Sequence, residues 1–239
     1  MTQIMGGIRV LEVAMYMYVP AAGAVLADWG ADVIKVENAL TPDPMRGTAA
    51  WGLPASIDGV SYLWEVTNRG KRAIAVDIHA PEGREIILRL TEDSDVFLTN
   101  FLPPARRKLG IDIDDVMARN PRIVYARGSG QGARGPEADK GGFDGISYWA
   151  RSGAAASVTP KESSRALPMP GPGFGDIQSG MFLAGGIAAA LYARERTGQG
   201  VVVDGSLLAG GMWGMQPTIA AARLTGSGTV PHQEHAGAQ

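Results

Sequence analysis

The 239-residue sequence contains no cysteine. Disulfide frameworks, thiolate metal sites and a cysteine nucleophile are therefore excluded. Histidine is scarce. His79, His232 and His235 do not have the spacing of a zinc site, and a hydrolase triad is hard to build from so few. An excess of one charge is also lacking. Lys plus Arg number 22 and Asp plus Glu 24, a net charge of −2, so a polyanion footprint is absent and nucleic acid is not an expected partner. The turn after the first expected strand, Ala14 to Pro20 (AMYMYVP), carries no glycine. The G-x-G-x-x-G dinucleotide fingerprint is thus missing, and with it the case for a nicotinamide oxidoreductase. There is no P-loop, no G-x-S-x-G elbow and no H-E-x-x-H. The longest uncharged stretch of note, Met181 to Ala193, has 13 residues and runs into Arg194-Glu195-Arg196. That is too short for a bilayer and reads as a buried helix, so no membrane partner is expected. Met1 to Gly7 has neither a basic cluster nor a long apolar run, and the chain reads as cytoplasmic.

What remains is an ordinary globular composition, 45% hydrophobic and 19% charged, with 33 glycines. That glycine content is about twice average usage and points to tight turns and close backbone approaches. Apolar runs at Ile8–Val13, Asp32–Glu37, Arg72–Asp77, Asp95–Thr99, Arg122–Arg127 and Val201–Asp204 predict strands. Between them, helices are predicted from Pro20 to Gly30, Pro81 to Thr91, Asp112 or Asp114 to Asn120, Phe143 to Arg151 and Asp176 to Arg196. A last helix is expected from Ser206 to Leu224, before a polar tail. Residues 38–59 read as an irregular excursion. The alternation predicts an α/β fold, a doubly wound and mostly parallel sheet.

Candidate chemistry follows. The loop Gly128 to Gly135 (GSGQGARG) follows a strand, so its amides can face an anion at the carboxyl edge of the sheet, or it is a connector. In GPGFGDIQSG, a glycine-rich approach delivers Asp176 to the first turn of the long helix. There the helix dipole would keep it ionised and competent to attack an activated acyl group, with nearby amides for an oxyanion. The plainer reading of Asp176 is an N-cap. Arg46, Arg69, Lys71, Arg72, Arg106, Arg107 and Lys108 are candidate anion ligands or solvated cations. Tyr16, Tyr18 and Trp51 can pack against an adenine or an acyl chain, or serve as core.

The order of motifs resembles the class III CoA-transferase family, which includes formyl-CoA transferase, carnitine CoA-transferase and the related α-methylacyl-CoA racemase. The stretches that carry the likeness are GIRVLEV, LADWGADVIKVE, NRGKRAIAVDIHAPEGREIILRLTEDSDVFLTNF with RRKLGID, NPRIVYARGSGQGARGP, and PGFGDIQSGMFLAGGIAAALYARERTGQGVVVDGSLL. They span residues 7 to 208, and the most telling is the pattern of Gly175, Asp176 and Gly180.

The resemblance implies a Rossmann-like large domain that binds coenzyme A over residues 1–205. It leaves 206–239 as a linker helix and polar tail toward a small domain that this sequence lacks. It places the catalytic aspartate on Asp176, passing through a mixed anhydride and an aspartyl-CoA thioester. It places Asn100 and Phe101 at the CoA site, Ala105 and Lys108 near the nucleotide, and Tyr16 and Met17 in the loop facing CoA. Arg72 and Phe143 complete the expected binding set. The implied substrates are an acyl-CoA and a carboxylic acid, with coenzyme A as substrate and no metal.

Several positions depart from the family. Tyr18-Val19-Pro20 stands where relatives have Ala-Gly-Pro, Met17 replaces a Gln, and Asn38 replaces an Arg. The racemase branch has a His-Asp pair where this chain has Phe143-Asp144, so two-base racemisation is disfavoured against transfer. Family members run to about 400 residues, so a truncated or split product, a homodimer, or a heteromer with a related subunit is the expectation. A racemase, or a catalytically incomplete CoA-binding subunit or fragment, is the alternative.

Overall fold

A computed structural model describes residues 3–49, 54–160 and 162–226. Trp51, His232, His235 and the tail over 227–239 lie outside the described residues. Six strands form one sheet: β1 (Arg9–Val13), β2 (Asp32–Asn38), β3 (Arg72–Val76), β4 (Val96–Thr99), β5 (Val124–Ser129) and β6 (Val202–Ser206). Their order is β3-β2-β1-β4-β5-β6, and all five pairings are parallel. The fold is therefore α/β and doubly wound, as the alternation predicts. Val10, Leu11, Val96, Phe97, Leu98, Val124 and Tyr125 are fully buried, because a parallel sheet is covered on both faces.

On one face lie α1 (Tyr18–Asp28) and α7 (Phe174–Thr197). Their Val19, Ala22, Leu26, Leu183, Ala184 and Ile187 close over Val10, Leu98 and Val124. On the other face, α3 (Pro81–Glu92) and α5 (Ile113–Arg119) set Ile87, Leu88 and Val116 against Leu11, Phe97 and Tyr125. Helix α7 runs 24 residues, longer than the expected 21, and by length and composition it is long enough to cross a membrane. Its Gly180–Ile187 stripe lies against α1 and the sheet, as in a core helix.

The crossing of α7 over α1 depends on Gly180. A Cβ there would lie 2.7 Å from Ala21 Cβ and 3.0 Å from both Ala22 N and Tyr18 O. Two of those atoms are backbone and cannot rotate away. Gly180→Ala is expected to destabilise the chain by roughly 2 kcal/mol, read from the urea midpoint.

Other elements were not evident in the pattern. Two short helices, α2 (Tyr62–Asn68) and α4 (Pro103–Leu109), flank the sheet, and α6 (Ala154–Val158) precedes a long loop. Phe143–Arg151 is helical in part, but Gly145–Ala150 is a π-helix. The expected last helix is two. α8 (Leu207–Gly214) and α9 (Gln216–Thr225) break at Met215, because Pro217 has no N–H to continue the ladder. β5 starts at Val124, two residues later than predicted, and reaches Ser129, into the glycine loop.

Candidate active site

Three strand ends meet where the sheet order reverses. β1 and β4 are neighbours, yet their following segments leave in opposite senses, toward β2 and toward β5. Ligands of open α/β sheets sit at such a switch point, beyond the carboxyl ends. A cavity of about 540 Å³ opens there. Met15 and Tyr16 follow β1, Asn100, Phe101, Leu102 and Ala105 follow β4, Gly128 and Ser129 end β5, and Gly130 follows it. Gly142, Phe143 and Ile146 form the opposite wall, and Asp176 projects from the first turn of α7.

The cavity walls are fixed by hydrogen bonds and close packing. Asn100 holds the Met15 backbone twice: its Oδ1 accepts from Met15 N–H at 3.0 Å and its Nδ2 donates to Met15 O at 2.6 Å. The Tyr16 ring meets Phe143 edge-on, with centroids 5.4 Å apart. Gly130 and Gly142 pass so closely that a Cβ on Gly130 would lie 2.6 Å from Gly142 Cα. These glycines let the β5 loop and the Phe143 segment share one wall.

Asp176 is not a cap. The N-cap of α7 is Gly173, and among the described residues the Asp176 carboxylate has no hydrogen-bond partner. The expectation that the helix dipole holds it ionised is also overturned. Burial, and then the charge of Asp144, push its carboxyl up to about 8. The amides explain why. Asp144 accepts from Gly145 N–H at 2.8 Å, and the Gly175 and Gly173 amides act on Asp144 as well. The positive end of α7 thus faces Asp144, whose own carboxyl burial still drives upward. Tyr18, which also lines the cavity, is raised by burial and by the Asp176 charge, so its phenol stays neutral.

Gly175 gives Asp176 its place. A Cβ there would lie 2.5 Å from the Tyr148 ring, which stacks edge-on against Phe174. Tyr148 OH donates to Gln178 Oε1 at 3.0 Å and ties the π-helix to α7 two residues beyond Asp176.

Of the expected site residues, Asp176, Tyr16, Asn100, Phe101, Ala105 and Phe143 line this one cavity. Met17 does not; it lies buried under Gly173 with Met45, Leu63 and Trp64. Lys108 lines a different hollow, of about 600 Å³, with His79, Arg84 and Arg119. Arg72 opens β3, at the opposite edge of the sheet, and pairs with Asp32 at 2.6 Å, so it is not brought to the cavity. Arg106 is buried on Asp112 and Phe101 O, an internal tie and not an anion ligand. Arg46 and Arg69 pair with Glu37 and Asp28. Lys71 is buried on Glu12 at 2.7 Å, and burial pushes it down to about 8. Met15, Leu102, Ile146 and Leu207 were missed, as was Asp144 as a neighbour of Asp176. The Gly141-Gly142 pair before Phe143 was the available signal.

The model of CoA-transferase family III matches residues 5–239. The chain belongs to this family. It is 36% identical over 230 residues to the cinnamoyl-CoA:phenyllactate CoA-transferase of Clostridium sporogenes, covering 96% of this chain and 55% of that protein. It is 38% identical over 209 residues to the succinate–glutarate CoA-transferase of Agrobacterium fabrum, covering 85% and 51%. Among solved structures, a CaiB/BaiF family protein from Brucella suis superposes with a TM-score of 0.85 at 31% identity, covering 95% of this chain and 59% of that one. The chain thus spans about half the length of the curated relatives it matches.

Proposed function

We propose that this chain supplies the CoA site and the acyl-accepting carboxylate of a CoA-transferase, with Asp176 as nucleophile. The observation that carries the reading is an unpartnered, half-buried carboxylate opening into an apolar cavity at the sheet's switch point. Family membership supports transfer between CoA thioesters and acids.

In the proposed chemistry, an Asp176 oxygen attacks the thioester carbonyl of the donor. The C–S bond breaks, CoA leaves as thiolate, and Asp176 carries a mixed anhydride. The thiolate attacks the Asp176 acyl carbon and releases the donor acid, leaving an aspartyl-CoA thioester. The acceptor carboxylate attacks that thioester, and CoA leaves once more. The thiolate then attacks the acceptor's own acyl carbon, giving the new acyl-CoA and free Asp176. Burial makes Asp176 a stronger nucleophile once ionised, because no hydrogen bond has to be given up.

The hollows support a course for the coenzyme. The Asp176 cavity shares Met15 and Phe101 with a hollow of about 80 Å³ beyond β2, which in turn shares Ile78 and His79 with the Lys108 hollow. This course puts the thioester at Asp176, the pantetheine arm past Phe101 and Met15, and the nucleotide phosphates toward His79 and Lys108. The partners are an acyl-CoA and a carboxylic acid. Some relatives are separate subunits, such as the alpha and beta chains of succinyl-CoA–L-malate CoA-transferase from Chloroflexus aurantiacus, so a heteromer is proposed beside a homodimer.

The half-length coverage favours a second reading, a CoA-binding chain without turnover by itself. Calorimetric titration with CoA tests both. Saturable binding, weakened roughly tenfold by Lys108→Ala, is expected under either. Binding without capture of an acyl group on Asp176 selects the second, and no binding overturns both.

A further inference from the structure

Beneath the cavity lies a buried set of four ions. Glu12 on β1 and Lys35 on β2 are register neighbours, both essentially without solvent contact. Lys35 Nζ lies 3.2 Å from Glu12 Oε1, 3.1 Å from Asp43 Oδ2 and 2.8 Å from Ala14 O. Lys71 Nζ closes the set on Glu12 and also donates to Asn68 Oδ1 at 3.1 Å and Pro20 O at 2.9 Å. Two carboxylates and two ammoniums balance, which is the condition for keeping charges in a core. The Trp64 ring caps the set, with Lys35 5.1 Å from its centroid.

One member reaches out of this set toward the cavity. Asp43 Oδ1 accepts from Tyr16 N–H at 3.1 Å and from Met45 N–H at 3.0 Å. Tyr16 has φ +64°, in the left-handed region where a Cβ crowds the following carbonyl oxygen. Its ring, against Phe143, forms the cavity wall. Something must hold a tyrosine there before any ligand arrives, and the turn is tied on one side by Asn100 and on the other by Asp43.

We propose that Asp43 is a positioning residue for coenzyme binding: anchored on Lys35, it holds the Tyr16 turn in its left-handed conformation and so presets the CoA wall. The proposal rests on the reading of the Asp176 cavity as the CoA site. A plain role as cap of the Pro44–Gly47 turn would affect stability without regard to residue 16.

The test is a cycle of Asp43→Asn and Tyr16→Gly, with CoA affinity measured by calorimetry. Glycine reaches φ +64° freely, so it removes what Asp43 has to hold. Asp43→Asn is expected to weaken CoA binding roughly tenfold with Tyr16 in place and under twofold in the Tyr16→Gly background. The Tyr16 amide proton, bonded to a carboxylate, is expected to move upfield in Asp43→Asn. Equal losses in both backgrounds, or an unmoved amide resonance, overturn the proposal. CoA binding that Asp43→Asn leaves unchanged overturns it alone, whereas no CoA binding by the unaltered chain overturns the cavity reading with it. Should Asp43→Asn not fold, amide exchange in the unaltered chain decides. Tyr16 N–H protected before CoA is added supports the preset turn; protection that appears with CoA alone contradicts it.

Discussion

Asp176→Asn is expected to lower acyl exchange by roughly three orders of magnitude or more, in any preparation of the chain that turns over acyl-CoA. An amide keeps the size of the side chain but cannot form the anhydride. CoA binding should change by less than a few-fold, because Asn100, Phe101 and Phe143 keep the cavity walls in place. A steady-state assay beside a CoA titration separates the two effects. Equal losses in both would mean that Asp176 shapes the cavity and does not react.

The second large effect concerns pH, and its sign differs between activity and stability. Asp176 is held up to about 8, first by burial and then by Asp144. It attacks when ionised, so the rate of acyl capture should rise with pH to a midpoint near 8. Asp144→Asn removes the smaller cause and should move that midpoint down while leaving it above the ordinary carboxylate range. Stability runs the other way. The unfolded chain ionises Asp176 near 3.8 and the folded chain near 8, so the stability this group contributes is complete below 3.8 and is lost as pH rises through 8. Asp176→Asn should therefore raise Tm at pH 9 by on the order of 10 °C and change it little at pH 4. Thermal scans at the two pH values check this, and a Tm gain independent of pH would contradict it.

The strands were legible in the residues because each is a short apolar run bounded by turn residues, and a buried parallel sheet needs nothing else. The glycine-rich start of α7 was legible as well, since Gly173, Gly175 and Gly180 mark a left-handed cap and two close approaches. What stayed hidden depends on contacts distant in sequence. Nothing local in Arg106 says that Asp112 and Phe101 O will bury it, or that Arg72 will lie at the far edge of the sheet. The π-helix over Gly145–Ala150 has no period of its own to read. A helix start considered in isolation predicts an ionised Asp176, because the sequence shows the dipole but not the burial. In the fold, burial of the Asp176 carboxyl is the larger cause, and Asp144, before the same amides, adds its own charge.

The most direct measurement is chemical trapping on the intact chain, supplied with any polypeptide its turnover needs. Incubation with acyl-CoA and hydroxylamine, followed by peptide mass spectrometry, should find a hydroxamate on Asp176 and on no other carboxylate. An acyl-CoA turned over with Asp176 unmodified, or a label on Asp144 instead, would contradict the account.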